Sequence, residues 1–373
     1  MSARHPRERV LGVLLVAIFA SMICVTIINV ALPSLRSGLG ADDRDLQWVL
    51  ASYALTYGLL LIPAGRAGDL FGHARVFRLG LALFTLAALL AAFTTTPFLL
   101  IATRILMGVG AGLFNPQVIG LIHELFPPEE RARAFGRYGA VTALGAAFGP
   151  VLGGLLLTLP PDLGWRMTFA INVPLGLVAL VLALRWLPAS RIGYAGPRAD
   201  LDPLGVLLLG AATACLMVPF ITGTWWLLAG TLVLGLAFAL WERAYARRGR
   251  SRMVDLRLFS IRSFSAAVAV FTFFLTGTVN VYVIQTLFIQ QGLGRSALLA
   301  GLVSLPPALV TAWGSSLGSR LVTRIGTRTV PLGLLILLVG IGATIAVMFP
   351  VAAGASVWWT RSRCRSSASG WAW

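Results

Sequence analysis

Residues 65–75 read Gly65-Arg66-Ala67-Gly68-Asp69-Leu70-Phe71-Gly72-His73-Ala74-Arg75, a carboxylate, two arginines and three glycines set between apolar runs at roughly 47–65 and 76–95. Each run is close to the 20 residues an α-helix needs to cross the hydrocarbon of a bilayer. The stretch is therefore a tight connection between two spans, in which glycine permits the turn and a close approach of the helices. Working outward, similar runs lie at roughly 10–31, 97–118, 138–158 and 167–187, completing six. Two more fall near 204–222 and 225–241, and three follow an Arg-rich segment, near 264–289, 297–317 and 329–350. The expected fold class is an all-α membrane protein with about eleven transmembrane helices present.

Composition agrees. The 373 residues are 58 % hydrophobic and only 12 % charged, with a mean hydropathy of +0.86, outside the range of ordinary soluble domains. All 30 basic residues are Arg, against 13 acidic ones, for a formal charge of +17. The arginines sit in short clusters between apolar runs rather than on one basic face, so the surplus excludes a nucleic-acid partner and reads as topology. With the amino terminus inside, one set of loops collects 22 Arg, from Arg4, Arg7 and Arg9 through Arg131, Arg133 and Arg137 to Arg328. The opposite loops hold Arg36, Arg44, Arg166 and Arg295 beside Asp42, Asp43, Asp45 and Asp162. The expected location is a plasma membrane, multi-pass, with a cytoplasmic amino terminus. The first run is too long for a signal peptide and lacks a clean cleavage site.

Cys24, Cys215 and Cys364 are too scattered for a disulfide framework, and His5, His73 and His123 share no ligand spacing, so no metal site is expected. No nucleotide loop or Ser/His/Asp arrangement appears, which argues against an enzyme. The expected partners are the lipid bilayer and a lipophilic small molecule, with no cofactor.

Arg104 stands several residues inside an apolar run, where a guanidinium is costly unless it faces water or a polar partner or snorkels to an edge. Asp69 and Arg75 either fix topology or form a charge-assisted contact that opens when helices move. Gly145 to Gly154 form a small-residue face interrupted by Pro150, suited to close backbone packing. Asn29, Tyr53, Tyr57, Asn115, Gln117, Asn172, Asn280, Tyr282 and Gln285 each need a polar partner or an aqueous face within the membrane, whether as packing residues or as a substrate pocket. Trp48, Trp225 and Trp226 read as interface anchors.

The 65–75 loop, with Gly65, Asp69, Gly72 and Arg75, resembles the signature between spans two and three of the major facilitator superfamily. It departs from the usual pattern at Leu70, His73 and Ala74. A degraded copy at Gly318, Arg324, Gly326 and Arg328 fits parallel half-repeats. Arg104 followed by Gly108, Gly110 and Gly112 resembles the family's fourth-span motif, and Gly149-Pro150 with Gly153-Gly154 its antiporter motif, which implies a kinked helix controlling alternating access. Trp165-Arg166, Ile171-Asn172-Val173-Pro174-Leu175-Gly176, Asp255-Leu256-Arg257-Leu258-Phe259 and the segments around Gly292-Leu293-Gly294, Gly301 and Pro306 are similar to the fourteen-helix drug:proton antiporter branch.

The resemblance implies a six-helix bundle over 1–190, two accessory helices over 191–245, a partial second bundle of three helices over 246–352 and an atypical tail over 353–373. The tail VWWTRSRCRSSASGWAW reads as a truncated or out-of-frame ending. Proton-driven export of lipophilic, often cationic, drugs by a monomer is the implied activity. Related antiporters place Asp where Cys24 stands, and Cys24 by itself reads as a small packing residue or a pocket residue. No Asp or Glu lies at the centre of any expected span. A non-transporting, sensor-like or inactive truncated protein, or an uncoupled facilitator, is the competing reading.

Overall fold

The computed structural model describes residues 4–188, 202–248, 256–289 and 297–352. The tail over 353–373, residues 189–201, Asp255, the Gly292-Leu293-Gly294 loop and the side chains of Asn280 and Tyr282 lie outside the described residues.

The described chain is helical: α1 Arg4–Leu39, α2 Asp43–Phe71, α3 His73–Ala92, α4 Pro97–Leu125, α5 Pro128–Leu156, α6 Pro161–Ala170, α7 Asn172–Trp186, α8 Pro203–Met217, α9 Pro219–Thr222, α10 Leu227–Arg247, α11 Arg262–Leu287, α12 Ala297–Ile325 and α13 Thr329–Ala352. Among the described residues, eight spans are long and apolar enough to cross a bilayer, with α6–α7 and α8–α9 each counted as one. The three further expected spans coincide with α11, α12 and α13, of 26, 29 and 24 residues. The expected all-α membrane fold is thus observed.

Helix starts follow local chemistry. Asp42 caps α2 in a reciprocal box with Asp45, and the Thr96 side chain caps α4. Proline opens α4, α5, α6 and α8, where its missing N–H would have had no helical partner. The sixth span differs from the single run expected over 167–187. It begins earlier and breaks at Ile171, ahead of Pro174, which cannot donate back into the preceding turn.

The chain divides into two compact units, Met1–Ser316 and Leu317–Trp373. In the first, α4 packs between α2 and α3, α1 packs on α5 and on α6–α7, α3 lies along α7, and the α8–α10 hairpin leans on α2. The core holds Phe77, Phe84 and Phe114 in edge-to-face contact. The outside is apolar: Leu79, Phe93, Phe98, Leu207 and Leu232 are each more than 65 % exposed. Such a surface suits lipid rather than water. In the second unit, Gly326 takes a positive φ of 59° in the short turn Gly326–Arg328 that leads into α13.

Several arginines that the sequence assigns only to topology have a structural task. Arg78 donates to the carbonyls of Ala183 and Leu187 at the end of α7. Arg166 donates to those of Ala92 and Thr94 after α3, and Arg131 to those of His123 and Phe126 after α4. Each donates to carbonyls at or just past a helix end and places a cation at the negative end of the dipole. The α8–α10 hairpin is pinned by buried Asp202, which accepts from Gly205 N and from Trp241 Nε1 at 2.9 Å.

Candidate functional site

Arg104, seven residues into α4, is 1 % exposed. It does not snorkel. Its Nε donates to the Val49 carbonyl of α2 at 3.0 Å, its Nη1 donates to Cys24 Sγ of α1 at 3.3 Å, and its guanidinium carbon lies 4.4 Å from the centre of the Tyr53 ring. Three helices thus meet at one buried cation, held by a carbonyl, a sulfur and an aromatic face. Tyr53 stacks on Tyr57 at 6.1 Å with 4° between the planes. Cys24, Tyr53 and Arg104 are buried, whereas Tyr57 is half-buried. Cys24 is buried and accepts from the guanidinium.

A second tie joins α4 to α1, where Asn115 Nδ2 donates to Ser21 Oγ at 3.2 Å and to the Ala111 carbonyl. Gly108 lets this part of α4 close on α2, since a Cβ there would meet the Tyr53 carbonyl at 2.7 Å and the Thr56 hydroxyl. Asn29 is exposed on the same face of α1 as Val25, and Gln285 on α11 is half-buried.

Gln117 and Asn172 are placed elsewhere. Gln117 donates to the Ala64 and Leu113 carbonyls, and Asn172 Nδ2 reaches the Thr168 and Phe169 carbonyls at the α6–α7 break. Both are buried at helix contacts.

The loop motif centres on His73, a residue the sequence marks only as a departure from the family pattern. Its Nδ1 lies 2.8 Å from Gln117 Oε1 and its Nε2 lies 3.5 Å from an Asp69 oxygen, an ion pair whenever the ring is protonated. The Asp69 carboxylate therefore faces His73, while Arg75 is exposed. Gly72 turns the chain between α2 and α3 at φ 94°, a conformation costly for residues with a Cβ. Gly65 lies beside Pro116.

On α5, Gly145, Gly149 and Gly153 recur every four residues and so share one face. That face lies on α1. A Cβ on Gly145 would meet Met22 Cβ at 2.8 Å, one on Gly149 the Thr26 hydroxyl, and one on Gly153 Ile27 Cγ1 at 3.0 Å. Gly154 is buried beside them. Pro150, inside α5, meets Gly301 of α12: a Cβ on Gly301 would come 2.9 Å from the Pro150 carbonyl carbon and from Val151 N. Fourteen residues on, Ser315 donates to the Gly136 carbonyl at 3.2 Å. Helix α5 therefore meets α1 along its glycine face and α12 at Pro150 and Val151, with backbone contact at Gly301.

Gly301→Ala is expected to force α12 away from α5 and to lower thermal stability by about 1–3 kcal/mol, the usual cost of overpacking. Gly277→Ala on α11, where a Cβ would have open space, is the control. Melting of the two purified variants side by side checks this.

The class these features define is that of polytopic, all-α membrane proteins built on helical bundles with a buried charge at a helix junction. The sequence profile described as Major Facilitator Superfamily matches residues 14–362, and the chain belongs to that family. It is 34 % identical over 365 residues to a protein named probable actinorhodin transporter in Streptomyces coelicolor, covering 94 % of this chain and 62 % of that one. It is 36 % identical to a puromycin resistance protein of Streptomyces alboniger, covering 86 % and 65 %. The chain thus spans a little over three-fifths of the length of these relatives. A solved structure of the proton:xylose symporter XylE shares the fold, with a TM-score of 0.59 at 17 % identity, covering 85 % of this chain and 69 % of that one.

Proposed function

We propose that this chain acts in the export of lipophilic small molecules of the drug and antibiotic kind, by alternating access and with a proton gradient as the energy source. The carrying observation is Arg104: a cation fully withdrawn from water at the meeting of α1, α2 and α4 is expensive to keep, and in membrane proteins such a residue marks a working site. The names of the antibiotic-related relatives support the substrate class. The glycine face of α5, close-packed on α1 and touching α12 at Pro150, supports the moving part. The motif matches support placement in the fourteen-helix drug:proton antiporter branch. The one-sided Arg distribution supports a plasma-membrane topology with the amino terminus in the cytoplasm. Asn29, Tyr57 and Gln285 are the proposed substrate contacts, Tyr53 and Cys24 lying beneath them with Arg104.

An uncoupled facilitator is the second reading, favoured by Cys24: a thiol, rather than a carboxylate, faces the buried guanidinium. Purified protein in proteoliposomes separates the two. Proton-driven export predicts uphill movement of a fluorescent drug under an imposed pH gradient, and a facilitator predicts downhill movement unaffected by it. Folded protein that moves no substrate under any gradient would overturn both. Cys24→Asp is expected to change the pH dependence of transport.

A further inference from the structure

The chain has thirteen acidic residues, and their positions leave the middle of the first six-helix bundle without one. On α1 none follows Glu8, on α2 none lies between Asp45 and Asp69, α3 has none, and α4 has none before Glu124. Those nearest the helix ends are engaged. Asp42 and Asp45 cap each other, Asp43 pairs with Arg36, Glu8 pairs with Arg137, and Asp69 faces His73. Arg104 brings a guanidinium cation into this region. Its three partners, the Val49 carbonyl, the Cys24 thiol and the Tyr53 ring, supply hydrogen bonds and a quadrupole but no counter-charge. Arg104 is the one fully buried charged residue among the described residues of α1–α7.

From this we infer that the site prefers lipophilic compounds carrying an acidic group, such as a carboxylate, sulfonate or phenolate, over lipophilic cations. The inference rests on the export reading above and names its substrate class. The Tyr53–Tyr57 stack leads from the buried guanidinium to a half-buried ring on which an aromatic ligand can lie. A charge about 10 Å from an uncompensated guanidinium, in surroundings with an effective dielectric near 20, feels a bias of about tenfold in affinity, favourable for an anion and unfavourable for a cation. Direct contact with Arg104 is therefore not required.

Tetraphenylborate and tetraphenylphosphonium have the same shape and opposite charge, and their binding to the purified full chain in detergent micelles tests the inference. Wild type is expected to bind the borate at least tenfold more tightly than the phosphonium. Cys24→Asp, able to neutralise Arg104, is expected to bring the ratio to unity or to invert it. Micelle partitioning is common to all variants, so the change in ratio reports the site. Where Cys24→Asp does not yield monodisperse protein, Arg104→Gln removes the charge directly, with the same expectation. A wild-type preference for the cation, or a ratio that neither charge-changing variant moves, overturns the inference and leaves the export reading standing. Saturable binding of neither ion overturns both.

Discussion

Arg104→Leu is expected to insert and fold with a stability within about 2 kcal/mol of wild type, yet to lose at least about tenfold in drug export. The stability expectation is a near cancellation. Leucine gives up charge-assisted hydrogen bonds worth about 1.5–3 kcal/mol each and a cation–π contact worth about 2 kcal/mol. It recovers the desolvation cost of a buried guanidinium, which is several kcal/mol. The Val49 carbonyl, inside α2, keeps its helical partner. The functional loss follows because no other described group joins α1, α2 and α4 at one charge. Arg104→Lys retains the charge but not the planar fork that reaches Val49 and Cys24 together, and should fall between the two. Thermal melting and proteoliposome efflux on the same preparations check this. A fall in stability that tracks the loss of efflux would make Arg104 a strut instead.

A larger effect on folding is expected at the crossing of α3 and α4. A Cβ on Gly80 would lie 2.7 Å from Phe114 N and 2.8 Å from the Gly110 carbonyl oxygen, and one on Gly110 would lie 2.5 Å from Phe84 N and 2.8 Å from the Gly80 carbonyl oxygen. Each glycine abuts the other's backbone, so no side-chain rotamer change can make room. Gly80→Val or Gly110→Val should separate the two helices, undo the Phe77–Phe114 and Phe84–Phe114 contacts, and cost about 3 kcal/mol or more. The expected readout is a steep fall in monodisperse protein recovered from membranes. Recovery and melting like wild type would show that the crossing is looser than its geometry implies.

Much of the site was legible because its chemistry is unusual for its surroundings. An arginine in an apolar run stands out, and so does a four-residue glycine period. The partners were not legible. Nothing about position 24 or 49 marks it as the acceptor for Arg104, because the contacts join residues 80 and 55 apart in the chain. His73 read as a departure from the family pattern and lies at the centre of a contact with Asp69 and Gln117. Gln117 and Asn172 read from the sequence as either packing or pocket residues, because polar groups in a membrane need partners. They find them in backbone carbonyls at helix contacts.

The sequence by itself determined that the chain is a bundle of membrane-spanning helices and where most of them lie, since span length follows from bilayer thickness and needs no neighbour. It also marked Arg104 as a charge well inside an apolar run of the first bundle, while its burial was left to the structure. Which side of each helix faces protein was decided by the tertiary structure alone. In a bilayer the lipid-facing and protein-facing sides are both apolar, so the pattern that orients a helix in water is weak here. Close packing of glycine against backbone sets the faces instead, and it is this packing that brings Cys24, Val49, Tyr53 and Arg104 together.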